Sequence, residues 1–464
     1  MNRFFDPQTF VPAELRRDEL PAAKEAYETA LKLAWPAVIE MVLLSVIGAA
    51  DTMMVGKLGH AAIAAVGLSG QPRLLFVGTI TALNTGTIAL VSRRKGQDDQ
   101  AGACRVLAQA LAINFVLGVV MAYVAISRSE FLMKLAGANE ETLALSSTYF
   151  RIVFYGFVLQ TIALTISAAQ RGIGNTHLTM RLNVTANLVN VVFNYFLIYG
   201  HFGFPRLEVA GAAAATALGY SVAAVLAIFT LFKKDGYLNL SGFRHFTFDP
   251  SIGRSMLQVG GNAILEQWGM RFGFFMYSRI VASLGTIAYA THQIGSQLLT
   301  ITFTVGDGLA VAATALTGQN LGKKRPDLSL MYITVLQRIA MVASLGLLVL
   351  IIAARTPIAG LFIDDANTIR NAGNLFIIIA LVQPLQTSNV VMSGSLRGAG
   401  DTRYVAFVML TSILILRVGG GWLLTYPAGF GLYGCWLALC VDQFYRYAMF
   451  WPRLKKGKWM HFVL

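Results

Sequence analysis

Apolar residues come in long blocks separated by short polar turns, over residues 30–54, 62–90, 103–126, 145–169, 178–200, 208–232, 256–281, 287–317, 329–353, 369–395, 404–424 and 430–450. Each block is long enough for an α-helix to cross the roughly 30 Å hydrocarbon core of a bilayer. The pattern predicts an all-α polytopic membrane protein with about twelve spans. The longest polar interruption, Lys233 to Asp249, falls between the sixth and seventh blocks. It marks off an N-terminal segment (1–29), a six-helix lobe (30–232), a linker (233–255), a second six-helix lobe (256–450) and a basic tail (451–464).

The two lobes are repeats of each other. A shift of 226 residues lays Leu58-Gly59 on Leu284-Gly285, Gln71 on Gln297, Leu159-Gln160-Thr161 on Leu385-Gln386-Thr387, and Arg171-Gly172-Ile173-Gly174-Asn175-Thr176 on Arg397-Gly398-Ala399-Gly400-Asp401-Thr402. One constant offset over blocks so far apart marks a duplication. Each copy holds an even number of spans, so the copies share one orientation and are related by an axis along the membrane normal. Two pseudo-symmetric lobes around a central cleft are expected, with alternating access by rocking.

Composition narrows the function classes. The chain is 56% hydrophobic and 13% charged, with mean hydropathy +0.60, which excludes a soluble domain. The start, Met1 to Pro7, has no apolar h-region, so the first block is read as a retained span. The net charge of +14 could suggest nucleic acid. Its distribution argues otherwise, because Arg93, Arg94, Lys95, Lys233, Lys234, Lys323, Lys324, Arg325 and Lys455 gather in alternate loops. That bias places both termini in the cytoplasm and accounts for the basicity. Arg16 to Glu19 and the Glu/Lys/Ala run after them read as a short amphipathic helix on the membrane surface.

Cys104, Cys435 and Cys440 form no CxxC pair and no metal-ligand spacing. The two Arg-Gly-x-Gly-x-Thr turns lack the Walker lysine and follow no strand, so they read as basic anchors and no nucleotide is expected. No Ser/His/Asp or Cys/His set is present, which points to a transporter and away from an enzyme. Neither a resident cofactor nor a structural metal is expected.

Carboxylates inside the spans carry the candidate chemistry. A charge at the centre of a spanning helix costs roughly 2.5–3.5 kcal/mol on insertion scales, so it normally faces a partner or a wet cavity. Glu40 and Asp51 lie eleven residues apart on the first span, three helical turns plus about 20°, and face the same way. Pro36 sits one turn before Glu40, where its missing N–H makes a candidate hinge. On the fifth span Asn183, Asn187, Asn190 and Asn194 form one stripe. Asn187, Asn190 and Asn194, with Thr216 on the sixth span, are the expected hydrogen-bonding wall for Asp51. In the second half Glu266 stands at the repeat position of Glu40, and Asp307 lies between two glycines. Both are candidate cargo or ion residues; Arg271 and Arg279 share the helix and could neutralise them, but Arg271 lies about 140° round from Glu266, so no intrahelical pair is expected there. Met270, Met276, Phe272, Phe274, Phe275, Tyr277 and Phe303 would supply an adaptable wall for bulky cations.

With these residues in place, the sequence resembles the multidrug and toxic compound extrusion (MATE) family, bacterial type. The resemblance rests on Ala50-Asp51-Thr52-Met53-Met54-Val55-Gly56 downstream of Pro36, Thr317-Gly318-Gln319-Asn320-Leu321-Gly322, Ser395 to Thr402, and Asn190/Asn194 before Leu197-Ile198-Tyr199-Gly200. It implies twelve helices in two lobes and a multi-pass protein of the bacterial inner membrane. It implies cation-coupled export of amphipathic, mostly cationic organic compounds, with Asp51 as the ion or proton site and Glu266 at an acidic position of the second lobe. On the tenth span some relatives carry an acid where this chain has Gln386, taken here as a cargo contact; that departure argues against sodium in the second lobe. The resulting expectation is a monomeric proton antiporter, with sodium at Asp51 as the less favoured ion. The competing reading is a lipid-linked oligosaccharide flippase of the same superfamily, favoured by Arg151, Arg271, Arg279, Arg338 and Arg417.

Overall fold

The computed structural model describes residues 6–233, 236–240, 248–362 and 365–462, and every regular element among them is helical. In chain order these are α1 (Ala23–Gly56), α2 (His60–Gly96), α3 (Gln100–Ser127), α4 (Ser129–Leu135), α5 (Glu140–Tyr155), α6 (Phe157–Gly172), α7 (Thr176–Tyr199) and α8 (Glu208–Leu231). Then follow α9 (Pro250–Ala282), α10 (Thr286–Gly322), α11 (Pro326–Ala353), α12 (Arg355–Gly360), α13 (Ala366–Ala399), α14 (Thr402–Thr425) and α15 (Gly431–Lys455).

Among the described residues nine helices are long and apolar enough to cross a membrane, and α5 with α6 makes a tenth, bent by 51° at Gly156. The last two expected blocks are α9 and α15, 33 and 25 residues long. Internal charges, Glu266 and Arg271 on one and Asp442 and Arg446 on the other, lower their hydropathy without shortening them. All twelve expected blocks are helical. One local reading needs correction: the run after Pro21 is no separate surface helix but the first turns of α1, preceded only by single turns at Pro7–Thr9 and Ala13–Leu15. Ala26, Ala30 and Ala34 are buried there, and that apolar stripe draws the segment into the packed core.

By internal packing the chain forms two units, Ile39 to Gly261 and the described residues up to Val38 with those from Asn262 onward. Both divisions fall inside a helix, α1 and α9. In the second unit Ala26, Ala30 and Ala34 of α1 join Leu309, Ala312, Leu316 and Val335 in one core cluster. The segment before α1 continues that packing: Arg17 N donates to Asp327 at 3.3 Å, and Arg325 bonds both Asp327 and Asp18. The first unit repeats the arrangement with the start of α9, since a Cβ on Gly260 would sit 2.8 Å from Leu83 Cα. Before α9, Gln100 Nε2 donates to Tyr237 O at 3.0 Å and Gln109 Nε2 to Asp249 O at 2.6 Å. Each repeat thus lends its leading arm and first turns to the unit built mainly by the other repeat.

Small residues set the closest packing. A Cβ on Gly398 would lie 2.2 Å from Thr314 O, so the backbones of α10 and α13 touch where only glycine fits. Thr314 Oγ1 donates across the same seam to Gly394 O at 2.9 Å. In the first unit the repeat position, Gly172, makes the same approach, a Cβ there lying 3.0 Å from Ile88 O, and aromatic packing adds to it: Phe76 packs edge-on to Phe154 at 5.0 Å, and Phe154 stacks on Phe157 at 4.8 Å.

Candidate functional site

Asp51 lies in the second half of α1, half-buried in the unit that runs from Ile39 to Gly261. Asn194 Nδ2 donates to Asp51 Oδ1 at 2.8 Å. Asn194 Nδ2 also reaches Asn190 Oδ1 at 3.4 Å, Asn190 Nδ2 reaches Thr216 Oγ1 at 3.4 Å, and Thr216 Oγ1 donates back to Ala212 O at 2.9 Å. The 3.6-residue period of α7 puts Asn190 and Asn194 one turn apart, and the αL glycine Gly200 (φ 75°) ends the helix just beyond. A chain of neutral amides and one hydroxyl therefore leads to a single carboxylate. Asn194 Oδ1, buried, has no partner among the described residues.

Around this set stand groups that sequence reasoning missed. Arg73 of α2 is the cation that acts electrostatically on Asp51, and Tyr149 and Tyr220 flank it. Tyr149 and Tyr220 pack in one cluster with Met54 and Val55, the residues that follow Asp51 on α1. A sequence signal existed, because Arg73 is the one charged residue between Ala61 and Ser92.

Glu40 does not join the Asp51 set. Eleven residues of helix place it about 16 Å away along the axis, fully buried, where it is ion-paired to Arg171 and accepts from Asn183 Nδ2 at 2.6 Å. Asn187 belongs to neither group, since its Nδ2 donates to the backbone O of Asn183 at 2.8 Å. Pro36 is buried within the helix but sits on the other side of the Val38/Ile39 division. The asparagine stripe thus splits into a Glu40 end and an Asp51 end.

In the second unit Glu266 is buried and paired with Arg397, 131 residues on, the separation that also joins Glu40 and Arg171. Arg271 and Arg279, on its own helix, make no ion pair with it among the described residues, as the angle of about 140° between Glu266 and Arg271 implies. Both arginines of the Arg-Gly-x-Gly-x-Thr turns are therefore counter-ions for helix acids, beyond their reading as basic anchors. The repeat position of Asp51 holds Tyr277, and that of Thr216 holds Asp442. Asp442 is fully buried between Arg417 and Arg446; Arg446 Nε lies 2.9 Å from Asp442 Oδ1 and 2.6 Å from Ser412 Oγ. Arg417 and Ser412 sit in a π-helical stretch of α14, Ser412–Gly419, whose wider turn re-aims both side chains. Asp307 is exposed and makes no hydrogen bond or ion pair among the described residues, while Phe303 is half-buried four residues before it. Tyr277 and Gln386 are buried, and neither Gln386 amide atom has a partner among the described residues.

The MatE family model matches residues 36–196 and 263–423, one match in each half. The chain is 25% identical over 447 residues to the "probable multidrug resistance protein NorM" of Thermotoga maritima, covering 96% of this chain and 95% of the relative. It is 27% identical over 414 residues to the "multidrug resistance protein PmpM" of Pseudomonas aeruginosa, covering 87% and 83%. Among solved structures, an outward-facing multidrug resistance MATE family transporter of the MOP superfamily superposes with TM-score 0.87 at 23% identity, over 94% of this chain and 96% of that one. The two family matches fall on the two repeats that carry the Glu40–Arg171 and Glu266–Arg397 pairs, and the chain belongs to the MatE family of membrane transporters, not to an enzyme family.

Proposed function

We propose that the protein is a secondary-active multidrug exporter of the bacterial inner membrane, both termini cytoplasmic, exchanging protons for amphipathic, mostly cationic compounds. One observation carries the proposal. Of the two intramembrane carboxylates in the first unit, Glu40 is locked in an ion pair, whereas Asp51 accepts from the neutral amide of Asn194 and has no ion pair among the described residues. A carboxylate without a contact ion pair takes up and releases a proton without breaking a salt bridge. When ionised it accepts from Asn194 Nδ2; when protonated it becomes a donor, and the unpartnered Asn194 Oδ1 is the acceptor that rotation of the amide presents. Asn190 and Thr216 pass that change toward α8, and Pro36 is the proposed hinge upstream. Cargo contacts are proposed at the exposed Asp307 and at Phe303, because Glu266, Tyr277 and Gln386 are buried or paired.

Sodium is the second reading, favoured by the same unpartnered Asn194 Oδ1 beside a carboxylate. Vesicles loaded with a fluorescent organic cation and given a pH gradient or a sodium gradient separate the two. Proton-driven efflux that disappears in Asp51→Asn supports the proposal. Efflux under sodium alone overturns the choice of ion, and undiminished efflux by Asp51→Asn overturns the coupling site.

A further inference from the structure

α9 and α14 end at the same membrane face, since Ser283 Oγ, just past α9, is hydrogen-bonded to Tyr426 OH, just past α14. Between the two ends lies a groove of about 430 Å³ lined by Met276, Arg279, Ile280, Val418, Trp422 and Tyr426. Glycines lie next to the lining residues on α14. The π-helical stretch ends at Gly419, and Gly420 and Gly421 follow, so three successive positions carry no side chain. A Cβ on Gly419 or Gly420 would find no atom nearer than 3.8 Å.

The lining is amphipathic in a set order. Met276, Ile280 and Val418 make an apolar floor. Trp422 and Tyr426, one turn apart with rings 6.2 Å between centroids, are 53% and 45% exposed. Trp and Tyr in that placement mark the headgroup level of a bilayer. Arg279, in the last turn of α9, is exposed and has no hydrogen bond or ion pair among the described residues. Phe272, Phe275 and Ile415, on the same two helices, are exposed as well.

We propose that this groove is a phospholipid site, with the headgroup phosphate on Arg279, the hydroxyl of Tyr426 beside it, and an acyl chain along Met276, Ile280 and Val418. The occupant follows from charge complementarity. An unpaired guanidinium at headgroup depth, above an apolar floor, matches a phosphate carried on a hydrocarbon chain. A soluble anion would leave the floor uncovered. The site is separate from Asp51 and does not depend on the choice of coupling ion.

The test uses the full-length protein purified in detergent and supplied with phosphatidylglycerol, phosphatidylcholine or glycerol phosphate. Bound lipid is counted by native mass spectrometry and thermal unfolding is followed in parallel. Wild type is expected to retain one more phosphatidylglycerol than Arg279→Gln and to be raised in Tm by it, with roughly tenfold weaker retention in the variant. Val418→Trp, which fills the floor and leaves Arg279 in place, is expected to lose the same lipid. Equal retention by wild type and both variants overturns the site. Stabilisation by glycerol phosphate as large as by phosphatidylglycerol overturns the lipid and leaves a phosphate site only.

Discussion

The two halves of this transporter share one ion pair and differ in where they place their remaining acids. Glu40–Arg171 and Glu266–Arg397 occupy equivalent positions in the repeats, each joining the first helix of its repeat to the end of the fourth span. Beyond that pair the halves diverge. The first carries Asp51, Thr216 and Tyr220, and the second carries Tyr277, Asp442 and Arg446 at the same repeat positions. The acid has moved from the first span to the sixth and gained two arginines. A carboxylate enclosed by two guanidiniums is a fixed structural charge. Asp51 by contrast receives one amide bond and makes no ion pair among the described residues, the contrast on which its proposed role as the titrating group rests. The duplication thus supplied a common scaffold on which the halves place their remaining acids differently: Asp51 on the first span of one, and Asp307 and the doubly paired Asp442 in the other.

The largest expected effect comes from removing the fixed charge. Asp442→Asn leaves Arg417 and Arg446 buried side by side, and should destabilise the protein by about 3–5 kcal/mol in detergent unfolding. Thr216→Val at the equivalent position should cost only about 1 kcal/mol, the net value of a neutral hydrogen bond. Equal losses would mean that the two clusters are not energetically different. The shared pair gives the next test. Arg171→Gln and Arg397→Gln should each cost roughly 2–4 kcal/mol, because a buried glutamate is left unpaired in either half. The two values should agree within about 1 kcal/mol. Pairing Arg171→Gln with Glu40→Gln should recover part of the loss, the signature of coupled residues.

A third comparison separates stability from transport. Asp51→Asn should shift unfolding by no more than about 1 kcal/mol, because the new amide still accepts from Asn194, while proton-driven efflux is lost. Glu40→Gln should do the reverse in proportion, lowering stability more than it lowers the transport of the folded fraction. If Asp51→Asn unfolds the protein as readily as Glu40→Gln, Asp51 is a structural charge.

How much of this was legible follows from what each feature depends on. The twelve helices were, because apolar length decides whether a segment spans a bilayer and the chain writes that length plainly. The repeat and the Asp51–Asn194–Asn190–Thr216 grouping were legible too, since a polar group in a span must find a partner and the asparagine period pointed one way. Arg171 and Arg397 were not recognised as counter-ions. They lie 131 residues from their acids, and helical spacing reports neighbours on one helix only. The same limit hid Arg417 beside Asp442. The exchange of leading arms at Val38 and Gly261 leaves no trace in hydropathy, because a helix that changes packing partners midway stays equally apolar along its length.

The smallest effect probes the asparagine stripe itself. Asn187 and Asn194 are two turns apart on one face, yet Asn187 bonds the backbone of its own helix and Asn194 bonds Asp51. Asn187→Ala removes a bond whose acceptor, the Asn183 carbonyl, keeps its place in the helix ladder, so the change should stay within about 1 kcal/mol and leave efflux intact. Asn194→Ala takes the donor from a half-buried carboxylate, a charged bond worth roughly 1.5–3 kcal/mol. With that donor gone the ionised form of Asp51 is the one that suffers, so the acid limb of the efflux profile should move to higher pH while maximal efflux by the folded protein falls less. An identical pH profile in Asn187→Ala and Asn194→Ala would show that the stripe only holds helices together, and the distinction drawn between its two ends would fall with it.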